Sequence, residues 1–335
     1  DNEGRSPLSY AAEGGNIDVV RLLIENKADV NATDNEGRSP LSYAAGRGHI
    51  DVVRLLIENK ADVNATDNEG RSPLSYAAEG GYIDVVRLLI KNKADVNATD
   101  NEGRSPLSYA AGRGDIDVVR LLIENKADVN ATDDEGRSPL SYAVQGGNID
   151  VVRLLIEKKA DVNATDSGGS RPLYFAMHKK EIFDELLRCG AEIDVSDQRG
   201  LNILHIGLAS VSESLLYVLE DTDDSHDTHE PRQKEKTVNA PGSYDRTMLH
   251  VAATLGLTKH MSVLLQYRGI NVNARDIFGM TCLHYATIIG NEDIICNLLK
   301  AGADIGALDT AGRSVLHIAA IYGHSKLIET FTQIQ

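Results

Sequence analysis

Tryptophan is absent from this chain and cysteine is scarce, being confined to Cys189, Cys282 and Cys296. Three widely spaced thiols cannot build the disulfide framework that stabilises small secreted domains, and such sparse cysteine is typical of a reducing compartment. We therefore expect an intracellular protein that resides in the cytoplasm or the nucleus.

The chain also lacks long apolar runs and an excess of basic residues. No stretch reaches the roughly 18 consecutive apolar residues that a membrane-spanning helix requires, and no signal-peptide pattern opens the sequence. Acidic residues outnumber basic ones by 50 to 34, which gives a formal charge of −16. Without a long apolar run, we expect no membrane insertion. Because nucleic acids bind basic surfaces, we expect no nucleic-acid partner and instead a basic or neutral protein partner.

Catalytic motifs are missing as well. The sequence contains no Gly-x-x-x-x-Gly-Lys-Ser/Thr phosphate loop, no Gly-x-Ser-x-Gly nucleophile elbow and no His-Glu-x-x-His zinc helix. The carboxylates are abundant but periodic, which is typical of solvated faces and turn caps rather than of a tuned acid–base pair. We predict a protein that is not an enzyme, with no catalytic residue, no cofactor and no metal site.

A 33-residue repeat dominates what is present. The first copy reads DNEGRSPLSYAAEGGNIDVVRLLIENKADVNAT, and the fifth ends at Thr165. The four near-identical successors begin at Asp34, Asp67, Asp100 and Asp133. A fixed period of this length indicates a solenoid, in which each unit packs only on its neighbours. Such an architecture offers an extended binding surface.

Each copy has the pattern of two short helices. Ser6 is placed to cap a helix that begins at Pro7, where the missing N–H costs nothing. Gly14 and Gly15 end that helix in a tight turn, and Ile17–Ile24 has the pattern of a second helix. Polar turn residues then predict a projecting hairpin loop. One such pair cannot bury its own apolar face, so the fold requires stacking.

The near-identical copies share short motifs, which in the first copy are Ser-Pro-Leu-Ser-Tyr-Ala-Ala at 6–12, Gly15, the pairs Val19-Val20 and Leu22-Leu23, and Ala-Asp-Val-Asn-Ala at 28–32. Later copies carry Thr-Met-Leu-His at 247–250, Thr-Cys-Leu-His at 281–284 and Ser-Val-Leu-His at 314–317. On these residues nearly the whole chain resembles the ankyrin repeat family. The resemblance implies an all-α solenoid of about ten ankyrin-like helix-turn-helix repeats with projecting β-hairpin loops. It also implies a non-catalytic module that binds a partner protein in its concave groove.

The copies divide the chain into four parts. Residues 1–165 hold the five near-identical copies, and residues 166–219 hold two divergent ones, of which the sixth loses the Gly-Gly turn. Residues 220–237 are a charged insertion, and residues 238–335 hold three further divergent copies, the last incomplete. Because Asp1 begins in mid-pattern without an initiator Met, we expect a fragment of a longer protein, in which an intramolecular contact with an upstream domain is one possible use of the stack.

The differences among the first five copies cluster at repeat positions 13, 14 and 16, whereas the projecting tip, Asn2 to Arg5, barely changes. The resemblance places the end of the first helix in the concave groove, the family's usual contact surface. We therefore predict that the following residues bind the partner: Glu13, Asn16, Arg47, His49, Glu79, Tyr82, Arg113, Asp115, Gln145 and Asn148. The alternative is neutral drift, because turn residues vary wherever they lie.

Two other functions stay open. The stack is alternatively the recognition or sensor arm of a larger enzyme or signalling ATPase whose catalytic domain lies outside this sequence. A phosphate loop or kinase motif in the upstream reading frame would favour that function. The third function is that of a structural spacer, which would tolerate deletion of repeats without loss of binding.

Histidines at one repeat position suggest metal ligands, but the resemblance implies a structural role. Ankyrin-like histidines at this position hydrogen-bond between neighbouring loops, and the first five copies carry serine there. The members of this set are His205, His250, His284 and His317. His226 and His229 have the chemistry of zinc ligands, but they lie in a polar insertion without cysteine, which favours a solvated loop.

Two further sets of recurring residues, the asparagines and the tyrosines, are expected to have structural roles. Asn31 and its equivalents match the glycosylation acceptor pattern, yet we expect them to satisfy backbone groups in the turns. The tyrosine row that begins at Tyr10 is expected to pack between copies, with each hydroxyl at the solvent-exposed edge.

Overall fold

The structure is a computed structural model that describes residues 1–192, 238–267 and 269–334. Its described residues form two compact units. The N-terminal unit comprises residues 1–176 and 184–191, and the C-terminal unit comprises the described part of residues 177–183 and 192–335.

Helices in the first six copies occur in pairs. The first helices of these pairs are α1 (Pro7–Glu13), α3 (Pro40–Gly46), α5 (Pro73–Gly80), α7 (Pro106–Arg113), α9 (Pro139–Gly146) and α11 (Pro172–Phe175). The second helices are α2 (Ile17–Glu25), α4 (Ile50–Glu58), α6 (Ile83–Lys91), α8 (Ile116–Glu124), α10 (Ile149–Glu157) and α12 (Lys180–Arg188). The predicted second helix, Ile17–Ile24, is confirmed to within one residue.

The last three copies repeat the arrangement. Their pairs are α13 (Met248–Thr254) with α14 (Thr258–Leu264), α15 (Cys282–Ile289) with α16 (Glu292–Lys300), and α17 (Val315–Tyr322) with α18 (Ser325–Ile334). The described residues thus contain nine helix pairs and no strand, which confirms the all-α fold class. The predicted seventh copy and the insertion at 220–237 lie outside the described residues, so the total of about ten copies stays a prediction.

Serine and proline start the first helices as predicted. Ser39 Oγ accepts a hydrogen bond from the backbone N–H of Ser42 at 3.2 Å, and Pro40 occupies the first helical position. Ser6, Ser72, Ser105 and Ser138 cap their helices in the same way. The cap satisfies one of the backbone donors that a helix start leaves unpaired.

Small and branched apolar residues form the core of each copy. Ala44 and Ala45 in α3 and Val53 and Leu56 in α4 are all completely buried. Each first helix of copies one to five packs on the first helix of the next copy, and each second helix of copies one to four packs on the second helix of the next copy. Neighbouring copies therefore bury surface that a single helix pair leaves exposed.

The hairpin tips form tight turns in place of regular β-strands. The Asp34 N–H donates to the Arg38 carbonyl at 3.2 Å, as a strand pair would require. The Arg38 and Glu36 N–H groups, however, donate to the Asp34 carboxylate at 2.9 and 3.0 Å. The Gly37 N–H also donates to the Asp34 carbonyl at 3.0 Å, so backbone and side-chain atoms of Asp34 together close the turn.

The sixth copy, which lost the Gly-Gly turn, also differs from the first five in its first helix. Its first helix, α11, has four residues, whereas α5 has eight. Arg171 stands at the capping position and makes no side-chain capping bond. The sixth copy thus lacks two local features that stabilise its neighbours.

Candidate functional site

The ten predicted partner-binding residues lie at the C-terminal end of each first helix and in the turn that follows it. We call repeat positions 13, 14 and 16 of copies one to five the turn row. Most side chains at positions 13 and 14 are exposed, as Arg47, Glu79, Arg113 and Gln145 are, whereas Glu13 is half-buried. At position 16, Asn16 is exposed and the other four side chains are half-buried. The structure thus brings the predicted residues onto one row but gives them two different environments.

Position 16 contributes to the contact between neighbouring copies. His49 Nε2 lies 2.9 Å from the Glu13 carbonyl oxygen, and Asn148 Nδ2 donates to the Gly112 carbonyl at 3.3 Å. Gly15 has a φ of +71°, and a Cβ there would lie 2.7 Å from His49 Nδ1. Glycine is therefore required at position 15 both for its backbone conformation and for this close approach.

Positions 13 and 14 carry charged side chains that form ion pairs at the surface. Arg47 lies 2.9 Å from Glu13, and Arg113 Nε lies 2.5 Å from Asp115. Hydrogen bonds from Arg5 and then Arg47 hold the pKa of the Glu13 carboxyl below its ordinary value. The side chains of Arg47 and Arg113 nevertheless remain 62% and 52% exposed, so they are accessible to a partner.

The residue at position 13 sets the orientation of the arginine at position 5 in the same copy. Where position 13 is glutamate, the arginine pairs with it, as in Arg5–Glu13 and Arg71–Glu79. In copy four, where position 13 is glycine, Arg104 pairs with Asp100 and Glu102, each at 2.9 Å. A single surface substitution thus redirects a neighbouring cation, which changes the charge pattern of the row.

An Asp–Tyr–Arg cluster lies behind the hairpin of each of the first five copies, and sequence reasoning missed it. In copy two the Tyr43 hydroxyl donates to Asp34 at 2.5 Å, and the Arg5 guanidinium lies 4.3 Å from the Tyr43 ring centre. Burial and then the Asp34 bond raise the pKa of Tyr43 to about 12. In copies two to five the tyrosine hydroxyls therefore end on buried carboxylates, contrary to the expectation that they reach the solvent-exposed edge, whereas Tyr10 and its partner Asp1 in copy one are exposed.

The constancy of the hairpin tip has a structural explanation. The Asn35 N–H and side-chain amide donate to the carbonyls of Glu3 at 2.9 Å and Asn2 at 3.1 Å, which joins neighbouring tips. Arg5, whose side chain is 12% exposed, packs on two tyrosine rings. The tip is therefore not as free to vary as the turn row, and the comparison of the two does not separate partner binding from drift.

The asparagines of the glycosylation-like pattern join neighbouring copies, as expected. Asn31 Nδ2 donates to the Lys60 carbonyl at 3.3 Å, and Asn31 Oδ1 accepts the Asp62 N–H at 2.9 Å. The equivalents Asn64, Asn97 and Asn130 make the same pair of bonds. These side chains satisfy backbone groups in the turns.

The described histidines of the later copies confirm the structural interpretation. His250 Nδ1 accepts the Thr247 N–H at 3.1 Å, and its Nε2 lies 3.1 Å from the Met280 carbonyl of the next copy. Only the neutral ring with its proton on Nε2 can make both bonds. Burial lowers the pKa of His250 and of His284, which makes the equivalent contacts. His205, His226 and His229 lie outside the described residues.

A family model described as "Ankyrin repeats (3 copies)" matches residues 8–100, 74–166, 225–309 and 270–333. These segments cover well over half of the chain and agree with the helix pairs described above. The chain belongs to the ankyrin-repeat family. Ankyrin repeats generally mediate protein–protein interactions. No helix in the described ranges of this ankyrin-repeat chain is long and apolar enough to cross a bilayer.

Three longer proteins are similar to parts of this ankyrin-repeat chain. Palmitoyltransferase AKR1 of Lachancea kluyveri is 35% identical over 128 residues, which are 37% of this chain and 16% of that protein. Inactive serine/threonine-protein kinase TEX14 of Bos taurus is 45% identical over 67 residues, 20% of this chain and 4% of that protein. Ankyrin and IPT/TIG repeat-containing protein C26H5.05 of Schizosaccharomyces pombe is 45% identical over 58 residues, which are 17% of this chain and 5% of that protein. The matched segments thus span small parts of these relatives.

Proposed function

We propose that this chain is a non-catalytic, intracellular interaction module and that its N-terminal unit binds a partner protein through the turn row. The observation that carries the proposal is the alternation of charge along the row, with the half-buried Glu13 followed by the exposed Arg47, Glu79 and Arg113 in successive copies. The ankyrin resemblance supports the proposal, because it implies that this row lies in the concave groove. A protein whose surface charges alternate with the same spacing would be complementary to it.

The fold does not depend on the identity of these residues. First helices of nearly the same length form with Glu-Gly in copies one and three, Gly-Arg in copies two and four, and Gln-Gly in copy five. Selection for partner contact can therefore act at positions 13 and 14 without loss of packing. At position 16, by contrast, a substitution alters both the exposed surface and the contact between copies.

The charge of the first five copies favours a basic or neutral partner. Residues 1–165 contain 28 acidic and 19 basic side chains, a net charge of −9. Like-charge juxtaposition disfavours wrong partners, and complementary charge accelerates encounter. The two exposed arginines of the row then supply local positive contacts within an acidic surface.

Charge reversal in the row tests the proposal. The variant Arg47→Glu/Arg113→Glu should lose proteins that the unaltered chain captures from native lysate, as identified by mass spectrometry. The matched control is Arg54→Glu/Arg120→Glu, which changes the net charge equally on exposed positions of α4 and α8. Surface ion pairs contribute about 1 kcal/mol or less, so the melting temperature should hardly change.

A captured protein that both variants lose equally would indicate non-specific attraction to charge. Identical capture by the row variant and the unaltered chain would return the variable positions to neutral drift. Any protein that the row variant alone loses is then purified, and its dissociation constant is measured against all three forms.

A second candidate is the recognition arm of a larger protein that contains an enzyme. The observation that favours it is that the curated relatives are matched over 4–16% of their length, and two of them have the names of a palmitoyltransferase and an inactive kinase. Reading the coding sequence beyond both ends of this chain tests it. A catalytic domain in the same frame would support this candidate, whereas further repeats alone would oppose it.

A further inference from the structure

The C-terminal unit carries large apolar side chains at the positions where the turn row is polar. Position 14 is Leu255 in copy eight, Ile289 in copy nine and Tyr322 in copy ten, and position 13 of copy ten is Ile321. These side chains are 47%, 50%, 53% and 60% exposed, respectively. We call these four residues the apolar row.

The fold of the repeat does not require apolar residues there. Glycine and arginine occupy position 14 in the first five copies, where first helices of seven or eight residues form. Tyr322 stacks on His324, with the ring centres 6.5 Å apart, but the exposed side chains of Leu255, Ile289 and Ile321 lack a packing explanation among the described residues. Large apolar side chains that cluster at a protein surface often mark a binding site.

The spacing of the apolar row fits a helix. Helix α13 packs on α15 and α15 on α17, and helices in contact lie about 8–10 Å apart. An α-helix that lies across the three copies presents one side chain every seven residues, or about 10.5 Å, on the same face. An extended peptide also advances about 10 Å in three residues, but the side chains of residues i and i+3 then point to opposite faces of the strand.

Charge also favours an apolar contact in this unit. Residues 238–335 contain seven acidic and seven basic side chains, so this part of the chain has no net charge. The exposed ions nearest the row in sequence include Glu292 and Lys326, which pair with each other. A partner with a neutral or mixed-charge polar face is therefore neither attracted nor repelled strongly, and apolar burial determines its affinity.

We propose that the apolar row binds an amphipathic helix of a partner protein, with apolar side chains seven residues apart seated on Leu255, Ile289 and Tyr322. The proposal rests on the proposed function in that the chain binds proteins, but it uses a different unit and different residues. Helix-in-groove recognition of this kind is anchored by a few large apolar side chains.

The test uses the full chain and two synthetic peptides. The probe is a fluorescein-labelled, neutral peptide of about 22 residues, with leucines spaced to form one apolar helical face. The control peptide has the same composition, with its leucines alternating with polar residues, so that it favours period two. Fluorescence anisotropy should show at least tenfold tighter binding of the helical probe.

Substitution of the row should abolish this preference. The variant Ile289→Arg/Tyr322→Arg installs the residue that stands at position 14 in copies two and four, and we expect it to weaken probe binding by tenfold or more. The matched control is Ile277→Asn/Phe278→Glu, which removes two equally exposed apolar side chains from the hairpin tip of copy nine. That control should bind the probe unchanged, as should Arg47→Glu/Arg113→Glu. Circular dichroism before and after heating verifies that each variant is folded.

Equal binding of the two peptides would overturn the proposal, as would unchanged binding by the row variant. A concentration-dependent dimer that Ile289→Arg/Tyr322→Arg dissociates in sedimentation experiments would assign the row to a second copy of this chain and would equally overturn it. Loss of lysate capture by Arg47→Glu/Arg113→Glu reports on the N-terminal unit alone. The two experiments therefore fail independently.

Discussion

At the scale of single residues, five lysines adopt the left-handed backbone conformation that favours glycine. Position 27 follows each second helix of copies one to five, and its φ lies between +66° and +71°. The corresponding residues of copies six and nine are Gly190 and Gly302, with φ of +88° and +90°. A side chain in the left-handed region costs about 1–2 kcal/mol, so each lysine carries local strain. The members of this row are Lys27, Lys60, Lys93, Lys126 and Lys159.

Glycine at these positions should stabilise the N-terminal unit. We expect the triple variant Lys60→Gly/Lys93→Gly/Lys126→Gly to raise the free energy of unfolding by about 0.5–1 kcal/mol per site, because relief of strain exceeds the added entropy of the unfolded chain. The shift of the urea midpoint measures this. The corresponding alanine triple variant removes the same charges but keeps the Cβ, so it should show no gain. Equal stabilisation by both would attribute the effect to charge.

At the scale of the helix pair, the two units link neighbouring copies with different side chains. In copies one to five, position 9 is a serine whose contacts stay within its own cap, as in Ser39 with Ser42. In the C-terminal unit the equivalent His250 and His284 reach the carbonyls of Met280 and Arg313 in the next copy. These bonds require neutral rings, so the cohesion of the C-terminal unit depends on pH.

The sign of this dependence follows from the lowered pKa of His250 and His284. Between their folded-state pKa and the ordinary value of 6.5, the unfolded chain binds more protons than the folded one. Their contribution is therefore complete above about pH 6.5 and declines as the pH falls through the folded-state values. In the N-terminal unit, burial opposes the ionisation of Asp100, yet the pKa of its carboxyl is lowered. The stabilisation that the ionised Asp100 provides is therefore lost only below about pH 4.

Hydrogen exchange at pH 7.5 and pH 5.5, corrected for intrinsic rates, measures this difference. Opening free energies of α13 and α15 should fall at pH 5.5, while those of α5 and α7 should stay constant. His284→Ser, which installs the residue of the first five copies, should lower the opening free energy of α15 by about 1 kcal/mol at pH 7.5 and reduce its pH dependence. A pH response of α15 that persists unchanged in His284→Ser would show that other groups cause it.

Local signals determined which elements could be predicted. Ser39 and Pro40 specify a helix start through their own chemistry, whereas the loss of the Gly-Gly turn in copy six marks this copy as divergent without specifying the length of α11. The Asp–Tyr–Arg cluster and the contact of position 16 depend on atoms from neighbouring copies, which the order of residues within one copy does not reveal. The sequence alone shows that Leu255, Ile289 and Tyr322 share one repeat position, whereas the exposure of their side chains depends on how the copies pack.

At the scale of the whole molecule, stability depends on contacts between nearest neighbours. Copies two to four have a near-identical copy on each side. Leu22 of copy one is 59% exposed, whereas the equivalent Leu55 of copy two is only 8% exposed. In a repeat array a weak copy lowers the stability of its neighbours as well as its own. Copy six is such a weak copy, because α11 has four residues and lacks a side-chain cap.

Hydrogen exchange should therefore rank α11 and α12 below α5 and α6, because local opening is cheapest where helix length, capping and neighbour contacts are all reduced. A graft makes the prediction specific: residues 170–181 are replaced by residues 71–84, which restores the serine cap and the Gly-Gly turn. We expect α12 to gain protection in the graft while α5 and α6 stay unchanged. If α11 and α12 already match α5 and α6 in the unaltered chain, the sixth copy is no weak point. If the graft fails to raise the protection of α12, the weakness arises from α12 itself and not from α11, its cap or the turn.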